Sequence, residues 1–314
     1  MIRTDLCDLL SIEYPVLQGG MAWISDGKLA AAVSDAGGLG IMAAGNAPGE
    51  YVRQQIRIAR LLTDQPFGVN IMLLSPYAEQ VAAIAAEEKV AVITTGAGNP
   101  SKFMEEWNAA GIKVIPVIAS VAMAKLMRRL GAAAVIAEGG ESGGHIGELS
   151  TMVLVPQVCD AIELPVIAAG GIADGRGAAA AFMLGACGIQ MGTRFLSAYE
   201  CSVHQNYKKK ILDASDLSTV VTGKRLGHPV RSLKTPFSRD YLKAENAGTS
   251  DAELEEMGVG ALRLAVQEGD IQKGCFLAGQ IAAMVHKEQP AAEIIRGVME
   301  EAEIILKGAC KWVK

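Results

Sequence analysis

The chain has 314 residues, 50% of them hydrophobic, and a formal net charge of −5. That is enough apolar chain for one large α/β domain, or one domain with an insertion, and the acidic balance argues against a general nucleic-acid surface. The first ten residues carry charges throughout, no run approaches the roughly 18 continuous apolar residues of a membrane span, and the expectation is a cytoplasmic protein without membrane contact.

Short β-branched or apolar runs alternate with amphipathic stretches along the chain. The runs are Pro15-Val16-Leu17, Leu39-Gly40-Ile41-Met42, Phe67-Gly68-Val69-Asn70-Ile71 and Val90-Ala91-Val92-Ile93. They continue with Lys113-Val114-Ile115-Pro116-Val117, Ala133-Ala134-Val135-Ile136, Pro165-Val166-Ile167-Ala168 and Gly188-Ile189-Gln190-Met191. Helical patterns at 49–62, 77–88, 121–130 and 176–184 lie between them. A spacing of roughly 20 to 30 residues from run to run is that of a βα unit, and eight units in series predict an α/β fold, the (β/α)8 TIM barrel. A doubly wound sheet is the alternative, but it would show GxGxxG after its first strand. The near-match Gly37-Gly38-Leu39-Gly40 precedes its strand instead.

After the eighth run, which ends near Phe195, far more chain remains than one closing helix needs. Residues 207–270 are more polar, contain Pro229 and Pro236, and are predicted to be a small lid-like insertion. Apolar segments 276–285 and 291–306 are predicted as helices that return to close the barrel. The expected division is a barrel of residues 1–206 and 271–314 with a lid of 207–270.

Active sites of this fold form where the strands end. Polar and glycine residues do cluster there: Gln18-Gly19-Gly20-Met21-Ala22, Ala43-Ala44-Gly45-Asn46, Asn70, Thr94-Thr95-Gly96-Ala97-Gly98-Asn99, Ala169-Gly170-Gly171-Ile172 and Gly192-Thr193-Arg194. The sixth run leads into Glu138-Gly139-Gly140-Glu141-Ser142-Gly143-Gly144-His145. Glycines let the backbone approach a flat ligand, and a histidine held beside them can transfer a proton near neutral pH; a solvent-facing loop histidine is the plainer reading. Gly170-Gly171 and Gly192-Thr193 suit a phosphate cradle, or simply make tight turns. Asn70 can pair with a heteroaromatic ring edge or be a satisfied structural amide.

The remaining candidates are weaker. Cys7, Cys159, Cys187, Cys201, Cys275 and Cys310 follow no metal-finger spacing and are expected to be reduced. Cys187 reads as core, and nothing suggests a cysteine nucleophile. His204 and His228 belong to the surface, or to the mouth if the lid folds over it, and His286 to a C-terminal helix. Lys102 could meet a dinucleotide or pantetheine phosphate, or be solvated; Lys208-Lys209-Lys210 reads as a solvated helix face.

Through these motifs the chain resembles the FMN-dependent barrel family of nitronate monooxygenases and flavin-type enoyl-acyl carrier protein reductases (FabK type). The resemblance spans nearly the whole chain. It is carried by Tyr14 to Trp23, Pro66 to Pro76, Thr94 to Pro100, the His145 loop, Ala168 to Ile172 and Gln190 to Phe195; the second and third of these, with Gly279-Gln280, look more like the reductase. It implies FMN across the barrel mouth, its phosphate on Gly171, Gly192 and Thr193, with Gln190 and Met191 completing that contact. Asn70, Glu138 and Gly143 would lie beside the ring or ribityl chain, and Met21 and Ala22 along its edge. It also implies NADH or NADPH as reductant, an enoyl chain on acyl carrier protein as substrate, and a monovalent cation (K+ or NH4+) as activator; a homodimer is expected because barrels of this size commonly dimerise. Hydride would reach the β-carbon of the thioester, with His145 donating the α-proton or polarising the carbonyl. A nitronate monooxygenase using His145 as base, and a non-enzymatic phosphate-ligand binder, are the other readings.

Overall fold

Each of the eight runs forms a strand in the computed structural model, which describes residues 1–312. Val313 and Lys314, the end of the expected barrel segment, lie outside the described residues. The strands are β1 (Val16–Gln18), β2 (Gly40–Ala43), β3 (Phe67–Met72), β4 (Val92–Gly96), β5 (Lys113–Ile118) and β6 (Val135–Glu138). A two-residue strand, β7 (Gly144–His145), stands apart from the barrel, which resumes with β8 (Val166–Ala169) and β9 (Gly188–Met191). Barrel neighbours run β1-β9-β8-β6-β5-β4-β3-β2, and a Leu17–Leu39 bridge brings the β2 edge back to β1. All these pairs are parallel. The fold is therefore a (β/α)8 TIM barrel with a small insertion after its eighth strand; the order shows no reversal of the kind a doubly wound sheet requires.

The strands are apolar runs because both faces are covered. Inside the barrel, Leu17, Leu39, Ile41, Val92, Ile115, Ile136 and Ile167 pack together. Helix Asp5–Leu10 closes one end by adding Leu6, Cys7 and Leu10 to that cluster. Outside, the helices bury a second layer against the sheet. Trp107 is fully buried there, stacked on Phe103 at 5.1 Å, with its indole N–H donating to Ala82 O at 3.3 Å. Trp107→Ala is expected to cost about 3–5 kcal/mol, seen as a lower urea midpoint; a loss under about 1 kcal/mol would show that this layer collapses freely around the gap.

Beyond β9 the chain forms helix Gln205–Leu212, a hairpin of β10 (Thr219–Thr222) and β11 (Val230–Leu233), and helices Pro236–Asn246 and Asp251–Gly258. β11 pairs antiparallel with both β10 and β7, so the insertion takes the His145 segment as its third strand. Among the described residues no helix is long and apolar enough to cross a membrane.

Two expectations are corrected by the structure. Segment 276–285 is not a barrel-closing helix. Its Phe276 O accepts from Leu233 N at 2.8 Å, Leu277 bridges Ser232, and only Gln280–Met284 turns as a 3-10 helix. Backbone groups committed sideways to the lid are not available to an α-helix, so this stretch becomes a strap over the strand ends. Closure falls to helix Ala291–Lys307 alone, whose Glu301 accepts from Gly175 N at 2.7 Å. His286 accordingly sits exposed in the connection before that helix, not inside a helix.

Candidate active site

The strand ends surround one cavity of about 420 Å³, within the roughly 300–1,000 Å³ of small-molecule sites. Met21, Ala22, Asn70, Glu138, Gly143, His145, Gly170, Gly171, Gln190, Met191, Gly192 and Thr193 all line it. Among the described residues, no lysine, arginine or cysteine does. An anion placed there would meet backbone N–H groups and hydroxyls instead of a cationic side chain.

The first loop is held by a buried amide. Gln18, fully buried at the end of β1, donates to Ser25 Oγ at 2.8 Å and Ile41 O at 3.2 Å, and Ser25 Oγ accepts from Met21 N at 3.0 Å. This network presents Met21 and Ala22 to the cavity. Trp23, next in the chain, takes φ +64°, and Ala97 across the mouth takes φ +52°. Non-glycine residues in that region store strain, which concentrates at ligand sites. Asn70 donates to Thr94 Oγ1 at 2.9 Å, leaving its oxygen and its second N–H as the remaining bonding capacity.

Consecutive positive φ values at Gly170 (+87°) and Gly171 (+74°) turn the chain after β8. Thr193 Oγ1 accepts from Gly279 N at 2.8 Å, which leaves the hydroxyl proton free to donate. Arg194 turns away to Ser197 and Gln289. Gly96 and Gly192 also line the cavity without a positive φ. A Cβ at Gly96 would meet nothing within 4 Å, and one at Gly192 nothing closer than the Met21 sulfur at 3.6 Å. Neither packing nor conformation demands glycine at these two positions, so the open space above them is a cradle suited to a flat ligand.

Glu138, half-buried at the end of β6, is pushed up to about 7, chiefly because its carboxylate is stripped of hydration. Ser142 faces it and opposes the rise, yet that hydroxyl is buried and finds no partner at full hydrogen-bond geometry. The folded chain thus binds this proton more tightly than the unfolded chain, and stability falls as pH rises from 4.5 to about 7. In flavin-free protein, Glu138→Gln is expected to remove that slope and exceed the parent at pH 8 by a few kcal/mol, at about 1.4 kcal/mol per pH unit between the folded and unfolded midpoints. Urea midpoints at pH 5 and pH 8 read it; parallel profiles for parent and variant would refute it.

The His145 loop is stitched from several sides. Glu141 accepts from Thr151 N at 3.0 Å and from its hydroxyl at 3.0 Å, which anchors helix Thr151–Ala161. Arg231 donates to Gly140 O at 2.8 Å, Gln280 N to Glu141 O at 2.9 Å, and Ile146 N to Pro229 O at 3.0 Å. His145 itself is exposed at the mouth. Lost hydration, and then the neighbouring charge of His228, hold it below the usual histidine range, which favours the neutral ring at neutral pH. On the other rim, Arg263 of the lid lies over the Trp23 ring at 5.0 Å.

The other expected candidates lie away from this constellation. His204 caps helix Gln205–Leu212 by accepting from Asn206 N at 3.0 Å. His228 is exposed, but on the hairpin beside His145. Lys102 pairs with Glu79 at 2.7 Å and is exposed. Cys187 is half-buried with its thiol pushed up to about 11 by burial, an inert state. Sequence reasoning did not foresee the cavity walls made by Leu277, Gly279 and Ile281 of the strap, or by Met123 after β5. Only Gly279 had left a signal, through the resemblance.

Comparison with known proteins agrees with this geometry. A family model described as nitronate monooxygenase matches residues 3–88 and 73–301. The solved structure of FabK from Thermotoga maritima superimposes with a TM-score of 0.97 at 50% identity, covering 100% of both chains. The (3aS,4S,5R,7aS)-5-hydroxy-7a-methyl-1-oxo-octahydro-1H-indene-4-carboxyl-CoA dehydrogenase of Rhodococcus jostii (strain RHA1) is 40% identical, covering 96% of each chain. A probable nitronate monooxygenase of Staphylococcus saprophyticus is 31% identical over 97% of this chain and 99% of its own.

Proposed function

This chain belongs to the nitronate monooxygenase family, and from that premise we propose that it reduces trans-2-enoyl thioesters, carried by acyl carrier protein, to the saturated thioesters with NADH or NADPH. At the coarser level it is a flavin-dependent oxidoreductase. The observation that carries the finer reading is the full-length match to FabK at 50% identity, well above the 31% shared with the nitronate monooxygenase relative. The Rhodococcus relative, a dehydrogenase of a carboxyl-CoA compound, supports a thioester as the shared substrate chemistry.

When bound, FMN supplies the hydride for the β-carbon. The chain's part is to hold and orient. Gly171, Gly192 and Thr193 would carry the phosphate through backbone N–H groups and the free hydroxyl proton, with Gln190 and Met191 behind them. Asn70, Glu138 and Gly143 would lie along the ring and ribityl chain, and Met21 and Ala22 at its edge. His145 would donate the α-proton, or hydrogen-bond the thioester oxygen as negative charge develops there. The lid and strap would exclude water from that face. Activation by K+ or NH4+ and a homodimer belong to the same reading.

One observation favours a second reading. A histidine held below its usual range is unprotonated at neutral pH, which suits a base that removes the acidic proton of a nitroalkane. Anaerobic absorbance of the purified protein separates the two. Bleaching of the flavin by NADH or NADPH, followed by recolouring on addition of crotonyl thioester, is the expected result. A flavin indifferent to the nucleotides and reduced by a nitronate would replace the reductase reading with the monooxygenase one.

A further inference from the structure

Among the described residues, two buried side-chain oxygens find no hydrogen-bond partner at full geometry, Ser142 Oγ and Ser232 Oγ. Ser232 bridges Leu277 of the strap, faces the Cys275 thiol and does not line the cavity. Ser142 differs in all three respects. It is only 8% exposed, it lines the cavity, and its hydroxyl faces the carboxyl of Glu138, which lines the cavity as well. A buried hydroxyl without a bond costs stability, and a ligand that bonds it recovers that cost on binding.

The loop gives this hydroxyl no other outlet. Ser142 N donates to Gly139 O at 3.1 Å, which fixes the turn. The groups nearby are committed: Glu141 to Thr151, Gln280 N to Glu141 O, and Gly279 N to Thr193 Oγ1. On the strap side, a Cβ at Gly143 would already stand 2.6 Å from the Ala278 carbonyl carbon, so the loop cannot move that way.

The same contacts say which part of a flavin Ser142 would meet. A Cβ on Gly279 would lie 3.3 Å from the Ser142 carbonyl carbon, and Gly279 N bonds Thr193 Oγ1 at 2.8 Å. Ser142 thus adjoins the residues suited to the phosphate. Its hydroxyl, however, faces a carboxyl, a poor neighbour for a phosphate dianion. The part of FMN next to its phosphate is the neutral ribityl chain, whose hydroxyls both donate and accept. A serine hydroxyl beside a carboxyl complements such a polyol.

We propose that Ser142 is a binding residue for the ribityl chain of FMN, its hydroxyl bonding a ribityl hydroxyl beside the Glu138 carboxyl. The inference rests on flavin occupying the cavity and is independent of the substrate that the flavin reduces.

Titrating flavin-free protein with FMN, riboflavin and lumiflavin, followed by flavin fluorescence, tests it. Riboflavin lacks the phosphate, and lumiflavin lacks the ribityl chain too. Ser142→Ala is expected to raise the dissociation constants of FMN and riboflavin by the same factor, roughly three- to tenfold, the net contribution of one neutral hydrogen bond. Lumiflavin affinity should not change. The urea midpoint of the flavin-free variant should equal or exceed the parent's, because no bond is lost with the hydroxyl. Ser142→Cys, which keeps the shape and offers only a weak donor, should behave alike and serves if the alanine variant does not fold. An FMN constant within twofold of the parent's overturns the proposal. A loss for FMN but not riboflavin would move the hydroxyl to the phosphate, and overturns it too. Loss for all three ligands, or a lowered urea midpoint, would make Ser142 a structural support of the loop and overturns the direct contact. A parent that binds none of the three would refute the flavin site itself, and the proposal with it.

Discussion

His145→Ala is expected to lower kcat/KM for a 2-enoyl thioester by roughly 10²–10⁴-fold, the usual contribution of a positioned general acid or base, with FMN still bound. The ring is exposed and belongs to neither buried cluster, so its removal should change stability by less than about 0.5 kcal/mol. Loss of turnover with an unchanged unfolding midpoint and flavin spectrum would assign the effect to chemistry. Near-normal turnover with flavin retained would remove His145 from the reaction. The pH profile separates its two roles. The protonated ring disappears as pH rises through a midpoint below the ordinary histidine value. If His145 donates the proton as imidazolium, kcat falls as pH rises above that midpoint. If the neutral ring hydrogen-bonds the thioester or acts as a base, activity falls as pH drops below it.

The second large effect is structural. Gly143→Ala is expected to destabilise the protein by about 1–3 kcal/mol, the range for overpacking, and to release flavin. A Cβ on Gly143 would lie 2.6 Å from the carbonyl carbon of Ala278, and one on Gly279 would lie 2.7 Å from Glu141 O. The His145 loop and the strap cross backbone to backbone, with no room for a methyl group on either side. The crossing is also bonded, by Gly279 N to Thr193 Oγ1 and Gln280 N to Glu141 O. Displacing the strap therefore disturbs Thr193 and the His145 loop together. Gly279→Ala, on the opposite side of the same contact, should give the same phenotype. Thermal unfolding with flavin fluorescence reads both variants, and two variants that hold flavin with parental midpoints would show that the strap yields without consequence.

The barrel was legible in the chain because its determinants are local and repeated. A strand covered on both faces must be a short apolar run, a covering helix must carry an apolar stripe, and their alternation leaves few topologies. The residues around the cavity were legible for a related reason. In such a barrel the strand ends share one mouth, so Asn70, Glu138, Gly171 and Thr193 could be grouped although far apart in sequence.

What the tertiary structure alone decided is how that mouth is closed. Segment 276–285 is apolar enough to read as a helix, yet it is a strap, since Phe276 and Leu277 bond to the lid and Gly279 to Thr193. The pairing of β11 with β7, which sets Val230 opposite His145, had no signal in the sequence. Backbone pairing between distant segments leaves little trace in side-chain pattern, because every residue but proline offers the same N–H and C=O. The local periodicity of this chain therefore determined its barrel and the ring of strand ends, while register and close approach between remote loops determined what crosses the mouth, and where glycine is indispensable.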